Sequence, residues 1–248
     1  MSRDIEIIPL FETNYAYLIW DSGSRNCACI DPGEADTVAK AVKARAGTLT
    51  HILSTHHHGD HTGGNLALKA AFGAKIVGSA FDDRIPGRDI GVGEGDVLGL
   101  PVGMVRVLAT PGHTRGSVCY ALADALFTGD TLFAMGCGRL FEGDGATMMK
   151  SLAEIAAFAE ETRLYPGHEY ALNNARFART LEPDNALIRT RLAHAEAKQQ
   201  RVPFTLAEEL RSNPFLRLEI PTIRKTLKMM SASPEAVFSE IRRRKDVF

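Results

Sequence analysis

Along the first two-thirds of the chain, apolar residues come in short runs broken by glycine-bearing turns. The runs at 5–9, 15–20, 27–31, 50–54, 74–78 and 104–110 predict strands, and 117–128 predicts two strands meeting near Asp124. Between them, apolar residues recur at helical spacing. "EADTVAKAVKARAG" sets Ala35, Val38, Ala39 and Val42 on one face and stops at Gly47; "GGNLALKAAFG" and "ATMMKSLAEIAAFAEE" behave alike. Strands interleaved with helices predict a layered α/β domain. After Tyr170 the pattern becomes helix after helix. Thr205 to Glu208 reads as a capping box, and Ser233-Pro234 as a cap followed by proline at the first helical position. The expected division is an α/β domain over 1–171 and a small all-helical domain over 172–248.

Composition narrows the class without choosing a function. A net charge of −1, 45% hydrophobic and 24% charged residues describe an ordinary globular protein, with no basic excess for nucleic acid or an anionic membrane. No apolar run is long enough for a signal peptide or a membrane span, so a cytoplasmic protein is expected. The sparse cysteines, Cys27, Cys29, Cys119 and Cys137, read as reduced buried thiols.

The chemistry concentrates in "STHHHGDHTGG", residues 54–64. Extended backbone points His56, His58 and Asp60 to one side and His57 and Gly59 to the other. Imidazole and carboxylate are the usual ligands of catalytic zinc and non-haem iron. A lone histidine in a turn is more often a solvated polar residue. The pattern H-x-H-x-D-H directly after a strand, with His61 closing it, predicts a metal site. Three further positions repeat the order apolar strand, glycine, ligand: His113 in "TPGHTRGS", Asp130 in "LFTGDTLF" and His168 in "RLYPGHEY". His51 and His194 lack that setting and read as structural.

With these residues in hand, the chain resembles the metallo-β-lactamase superfamily and, within it, glyoxalase II (hydroxyacylglutathione hydrolase). "THHHGDH", "PGHTRGS", "FTGDTLF", "GCGR" and "PGHEY" carry the resemblance, joined late in the chain by "NPFLR" and "RRRKD". It implies a four-layer αββα sandwich holding two divalent metal ions. His56, His58 and His113 would hold one, Asp60, His61 and His168 the other, and Asp130 would bridge them. Zinc is the default, with iron or manganese as alternatives.

Paired divalent ions lower the pKa of water from about 15.7 toward about 7, giving a hydroxide without a protein nucleophile. That fits a sequence with no G-x-S-x-G elbow and no cysteine partnered by histidine. Asp60 and Asp130 are then the catalytic carboxylates. A thiolate leaving group, pKa about 8.5, asks little of a general acid. Arg242 and Lys245 lie three residues apart on one helical face, where basic residues ordinarily only complement the helix dipole. By resemblance they bind the glycine carboxylate of glutathione, and Tyr170 hydrogen-bonds the same tripeptide. "GCGRLF" looks like the family's substrate loop, with Arg139 where many members have lysine and Phe141 where tyrosine is common. The missing hydroxyl would cost about 0.5–1.5 kcal/mol of binding. Asp31 in "IDPG" is read either as orienting a ligand histidine or as a turn former.

The expected activity is hydrolysis of S-D-lactoylglutathione and other S-2-hydroxyacylglutathiones to the 2-hydroxy acid (D-lactate) and glutathione, the second step of methylglyoxal detoxification. The expected partner is this small-molecule thioester, with no nucleic acid and no membrane, and a monomer is expected. The alternative weighed is a glutathione persulfide dioxygenase of the same fold with one iron, against which Asp60, His61 and His168 argue for a second ion. A secreted β-lactamase and a nucleic-acid processing protein of this fold fit less well, for want of a leader and of a basic surface.

Overall fold

The computed structural model describes residues 4–197 and 202–248. One sheet follows chain order: β1 (Asp4–Leu10), β2 (Asn14–Trp20), β3 (Asn26–Ile30), β4 (Thr48–Leu53), β5 (Lys75–Ser79) and β6 (Ile90–Val92). Its first three strands pair antiparallel and the rest parallel. β7 (Val97–Leu100), β8 (Gly103–Ala109), β9 (Val118–Leu122) and β10 (Ala125–Gly129) form an antiparallel run of the second sheet. A small hairpin, β11 (Leu132–Phe133) and β12 (Gly136–Cys137), stands apart, and β13 (Arg163–Pro166) then returns parallel to β10.

Strand alternation builds the layers. In β2, Tyr15, Tyr17 and Ile19 face the second sheet, meeting Val107, Tyr120, Phe127 and Tyr165. Ala16, Leu18 and Trp20 face outward onto Val38 and Val42 of α1 (Ala35–Ala44), in a cluster shared with Leu68. Every residue of β2 is buried, because both faces are covered. After α2 (Gly59–Thr62), α3 (Asn65–Phe72) brings Leu68 and completes the first helical layer. On the far side, α4 (Gly145–Ala156) buries Met148, Leu152 and Ile155 against Leu126 and Leu164 of the second sheet. The result is the αββα sandwich.

The C-terminal region is helical: α5 (Ala171–Leu181), α6 (Ala186–Glu196), α7 (Leu206–Ser212), a 3-10 turn (Pro214–Leu216), α8 (Pro221–Leu227) and α9 (Pro234–Asp246). The capping box forms at Thr205 and Glu208, and Ser233 caps α9. The expectation of helix alone needs one correction. Just before α7, β14 (Phe204–Thr205) pairs antiparallel with Arg163–Leu164. This exposed edge of the second sheet takes any extended segment that passes beside it, so a two-residue strand forms without a strand-length apolar run. Phe177, Leu181, Phe215, Phe238 and Ile241 pack into the same cluster as Met148 and Leu126. The two parts of the chain therefore share one core. All four cysteines are free and buried.

Candidate metal centre

Each expected ligand lies just past the end of a strand, all at one edge of the two sheets. His56, His58, Asp60 and His61 follow β4, His113 follows β8, Asp130 follows β10 and His168 follows β13. The glycines in front of them have a steric reason. Gly129 has φ 46°, and a Cβ on it would strike the Thr55 hydroxyl. A Cβ on Gly167 would lie 2.5 Å from Asp130 Oδ1 and 2.6 Å from the His61 ring. Only a bare backbone brings these loops together.

Three close donor groups result. The one formed by Asp31, His56 and His61 has its carboxylate already accepting from the Thr55 hydroxyl and His61 Nδ1; the other two face the open centre. His58 Nδ1 lies 3.0 Å from His56 Nε2 and 3.1 Å from His113 Nε2. His61 Nε2 lies 3.2 Å from His168 Nε2, and Asp60 Oδ2 is 3.6 Å and 3.4 Å from them. Asp130 reaches both groups, with Oδ1 3.4 Å from His61 Nε2 and Oδ2 3.3 Å from His113 Nε2. The uniform alternation expected of the 54–64 segment stops at Asp60. The chain turns helical at Gly59, which swings Asp60 toward His168 and sets the His61 ring between those of His56 and His168, with centroids 4.3 Å and 5.0 Å away. His57 does face away, with Nδ1 2.8 Å from Asp82 Oδ2.

The hydrogen bonds behind the rings test whether this donor set fits a cation. His113 Nδ1 donates to the Arg139 carbonyl at 2.9 Å, and His61 Nδ1 donates to Asp31 Oδ2 at 3.1 Å. The Thr55 hydroxyl gives its only proton to Asp31 Oδ2 at 2.6 Å, so it accepts from His56 Nδ1, 3.1 Å away. In neutral imidazoles the Nε2 atoms of His56, His61 and His113 are therefore bare lone pairs, all aimed inward. Asp130 Oδ1 is buried with no hydrogen-bond partner. Converging lone pairs around an unpartnered carboxylate oxygen are complementary to divalent cations and to little else.

Electrostatics agree. Burial holds His56, His58 and His113 below the usual histidine pKa, leaving them neutral. For His61 and His168 burial pushes the same way but the carboxylates prevail: Asp130, Asp31 and Asp60 raise His61, and Asp130 and Asp60 raise His168 to about 9. Asp60 is depressed, chiefly by its hydrogen bond to His168, and Asp130 is depressed against its own burial by His61, His168 and His56. Both carboxylates stay ionised. Among residues that the sequence did not single out, Asn14 donates to Asp60 Oδ2 at 2.8 Å, and the Thr13 hydroxyl lies 3.1 Å from His168 Nδ1. Nothing in "FETNYAY" marks them; only the closing of the β1–β2 turn onto the loop brings them in.

The centre opens into a cavity of about 570 Å³. Phe141 stands edge-on to His58 and His113, with ring centroids 5.7 Å and 5.2 Å away. Tyr170 stacks on His168 at 4.7 Å, with planes 6° apart. Arg139, Arg242 and Lys245 line the same cavity. Arg242 is largely committed: it donates to the Cys137 carbonyl at 2.9 Å and pairs with Asp246 at 2.9 Å. Lys245 bonds Asn173 Oδ1, and burial, then Arg242 and Arg139, lower its pKa to about 8.

The metallo-beta-lactamase superfamily model matches residues 11–168, and the hydroxyacylglutathione hydrolase C-terminus model matches 169–248. A hydroxyacylglutathione hydrolase of Methylococcus capsulatus is 50% identical, covering 97% of each chain. The chain belongs to the hydroxyacylglutathione hydrolase family. Members of that family are hydrolases within the metallo-beta-lactamase superfamily, and the His/Asp clusters of this enzyme support binding of divalent metal. A second hydroxyacylglutathione hydrolase, from Brucella ovis, is 48% identical over 99% of this chain and 98% of its own. Among solved structures, ETHE1 from Myxococcus xanthus is 28% identical with a TM-score of 0.67, over 100% of this chain and 99% of its own. TTHA1623 in a di-iron-bound form is 24% identical with a TM-score of 0.64, over 85% of this chain, and supports the fold. No helix among the described residues is long and apolar enough to cross a membrane.

Proposed function

We propose that the protein hydrolyses S-D-lactoylglutathione and related S-2-hydroxyacylglutathiones to the 2-hydroxy acid and free glutathione, as in methylglyoxal detoxification. The observation that carries this reading is one cavity that joins a two-group metal donor set to three side-chain cations. His56, His58 and His113 would hold one cation, Asp60, His61 and His168 a second, with Asp130 shared and zinc the default metal. Bound there, two divalent cations would supply a hydroxide at neutral pH and a Lewis acid for the thioester carbonyl.

The chain's own groups do the rest. Asp60 and Asp130, held ionised, accept hydrogen bonds from the attacking water and fix its orientation. Phe141 and Tyr170 offer apolar faces on the cavity wall beside His58, His113 and His168. Lys245, with Arg139 and Arg242 beside it, faces the glycine carboxylate; an incoming anion offsets both the burial and the lesser repulsion from Arg242 and Arg139 that lower the Lys245 pKa. The glutathione thiolate leaves with little protonation because its pKa is only about 8.5. The second donor group, Asp60, His61 and His168, favours two cations over the single iron of a persulfide dioxygenase. Four free, buried thiols are consistent with a reducing cytoplasm, and we place a monomer there.

Metal-replete protein should release glutathione thiol from S-D-lactoylglutathione, and lose that activity on chelation. Absence of turnover by fully loaded protein would refute the assignment.

A further inference from the structure

The segment between Asp130 and Arg139 has both ends in the metal centre. Asp130 begins it, and the Arg139 carbonyl that fixes the His113 tautomer ends it. A Cβ on Gly138 would collide with the Asp130 carbonyl, so the two ends are pressed together. The middle is the β11–β12 hairpin, turned by Met135 at φ 54°, an unfavourable value for a side chain of that size.

The tip of that hairpin is gripped wholly by the C-terminal helices. Asn174 donates to the Ala134 carbonyl at 3.0 Å, and Glu209 accepts from Met135 N at 2.8 Å. Asn213 donates to the Gly136 carbonyl at 3.0 Å and to Glu209 at 2.8 Å, and Arg242 takes the Cys137 carbonyl. Glu209 is fully buried and paired with the buried Arg191 at 2.6 Å. A buried ion pair is costly against an apolar alternative. Here its geometry serves the backbone of the hairpin.

We propose that Asn213 and Glu209 are positioning residues for the metal centre: through the hairpin they hold Asp130 and the Arg139 carbonyl in register with His113. The C-terminal region then governs cation retention as well as substrate capture. This rests on the metal reading above. Losing a partner that orients a ligand histidine costs roughly 10–100-fold in metal affinity.

Asn213→Ser is the informative variant. Serine keeps an oxygen for the cap on Phe215 N but cannot reach the Gly136 carbonyl. Glu182→Gln is the control, since it breaks an ion pair with Arg217 in the same helical region away from the hairpin. Zinc affinity, measured by competition with a chromophoric chelator, should weaken about tenfold or more in Asn213→Ser and stay within about twofold in the control. The gap between melting temperatures of zinc-loaded and zinc-free protein should narrow in step. Unchanged zinc affinity with a lowered melting temperature would overturn the proposal and leave Asn213 merely structural. Wild-type protein that binds no zinc would instead sink the metal reading itself. Coupling is reciprocal, so in unaltered protein zinc should also slow amide exchange in peptides containing Met135 and Asn213. Exchange indifferent to zinc in both peptides would overturn the proposal even if the variant failed to fold.

Discussion

Asp31→Asn removes one negative charge and changes almost nothing else. Asp31 has φ 47°, a left-handed conformation that asparagine adopts as readily, so the backbone stays in place. The native carboxylate is buried and accepts three hydrogen bonds: Thr55 N at 2.7 Å, Thr55 Oγ1 at 2.6 Å and His61 Nδ1 at 3.1 Å. An asparagine amide has one oxygen. If it keeps Thr55 N, its NH2 faces the Thr55 hydroxyl and His61 Nδ1, both donors. His61 resolves the conflict by moving its proton to Nε2, which removes the lone pair aimed at the metal centre. A hydrogen bond to a charged acceptor contributes about 1.5–3 kcal/mol, so cation-free protein should lose about that much stability. Cation affinity at the His61 side should fall roughly 10–100-fold, or about 1.4–2.7 kcal/mol. Zinc competition titrations read the affinity, denaturant melts of chelated protein read the stability, and ring nitrogen shifts in NMR report the His61 tautomer. A variant that keeps both zinc affinity and the Nδ1–H tautomer would refute the reasoning.

Asp130→Asn should lower kcat by about 10²–10³-fold and reduce bound metal below two per chain, since Asp130 reaches into both donor groups; elemental analysis beside thioester kinetics checks this. The pH dependence has a definite sign. In cation-free protein His168 titrates near 9 instead of about 6.5, so its contribution to stability is complete below about pH 6.5 and is lost as pH rises through 9. Cations displace that proton, so zinc affinity should rise over the interval in which chelated protein loses stability, and paired titrations and melts would show the opposing trends. Lys245→Met should raise KM about 10–100-fold with kcat little changed, the cost of one charge-assisted bond. Wild-type KM should likewise climb as pH passes about 8.

The sequence made the centre of each sheet legible but not the margins. The runs at 15–20, 27–31 and 104–110 fall within a residue or two of β2, β3 and β8, because buried strands must alternate or saturate with apolar side chains. β6 and β7 went unread: they are short, half-exposed and contain Gly91 and Gly99, so the neighbouring strand rather than their own composition makes them extended. The ligands were visible because metal binding demands particular residue types at strand ends. Their supports were not. Thr55 and Asn14 look like any polar loop residue until the fold places one against Asp31 and the other against Asp60. Arg242 reads as a free helix-end cation in sequence, yet spends most of its donors on the Cys137 carbonyl and Asp246.

The cluster that runs from Leu126 and Leu164 through Met148 to Phe177, Phe215 and Ile241 has a bearing on modularity. A polypeptide cut off before α5 would leave an oily plate on the second sheet with nothing to cover it. Such a fragment should precipitate rather than persist as a metal-loaded hydrolase without selectivity. Lineages that exchange the terminal helices for another specificity must supply a replacement lid of matching shape in the same event.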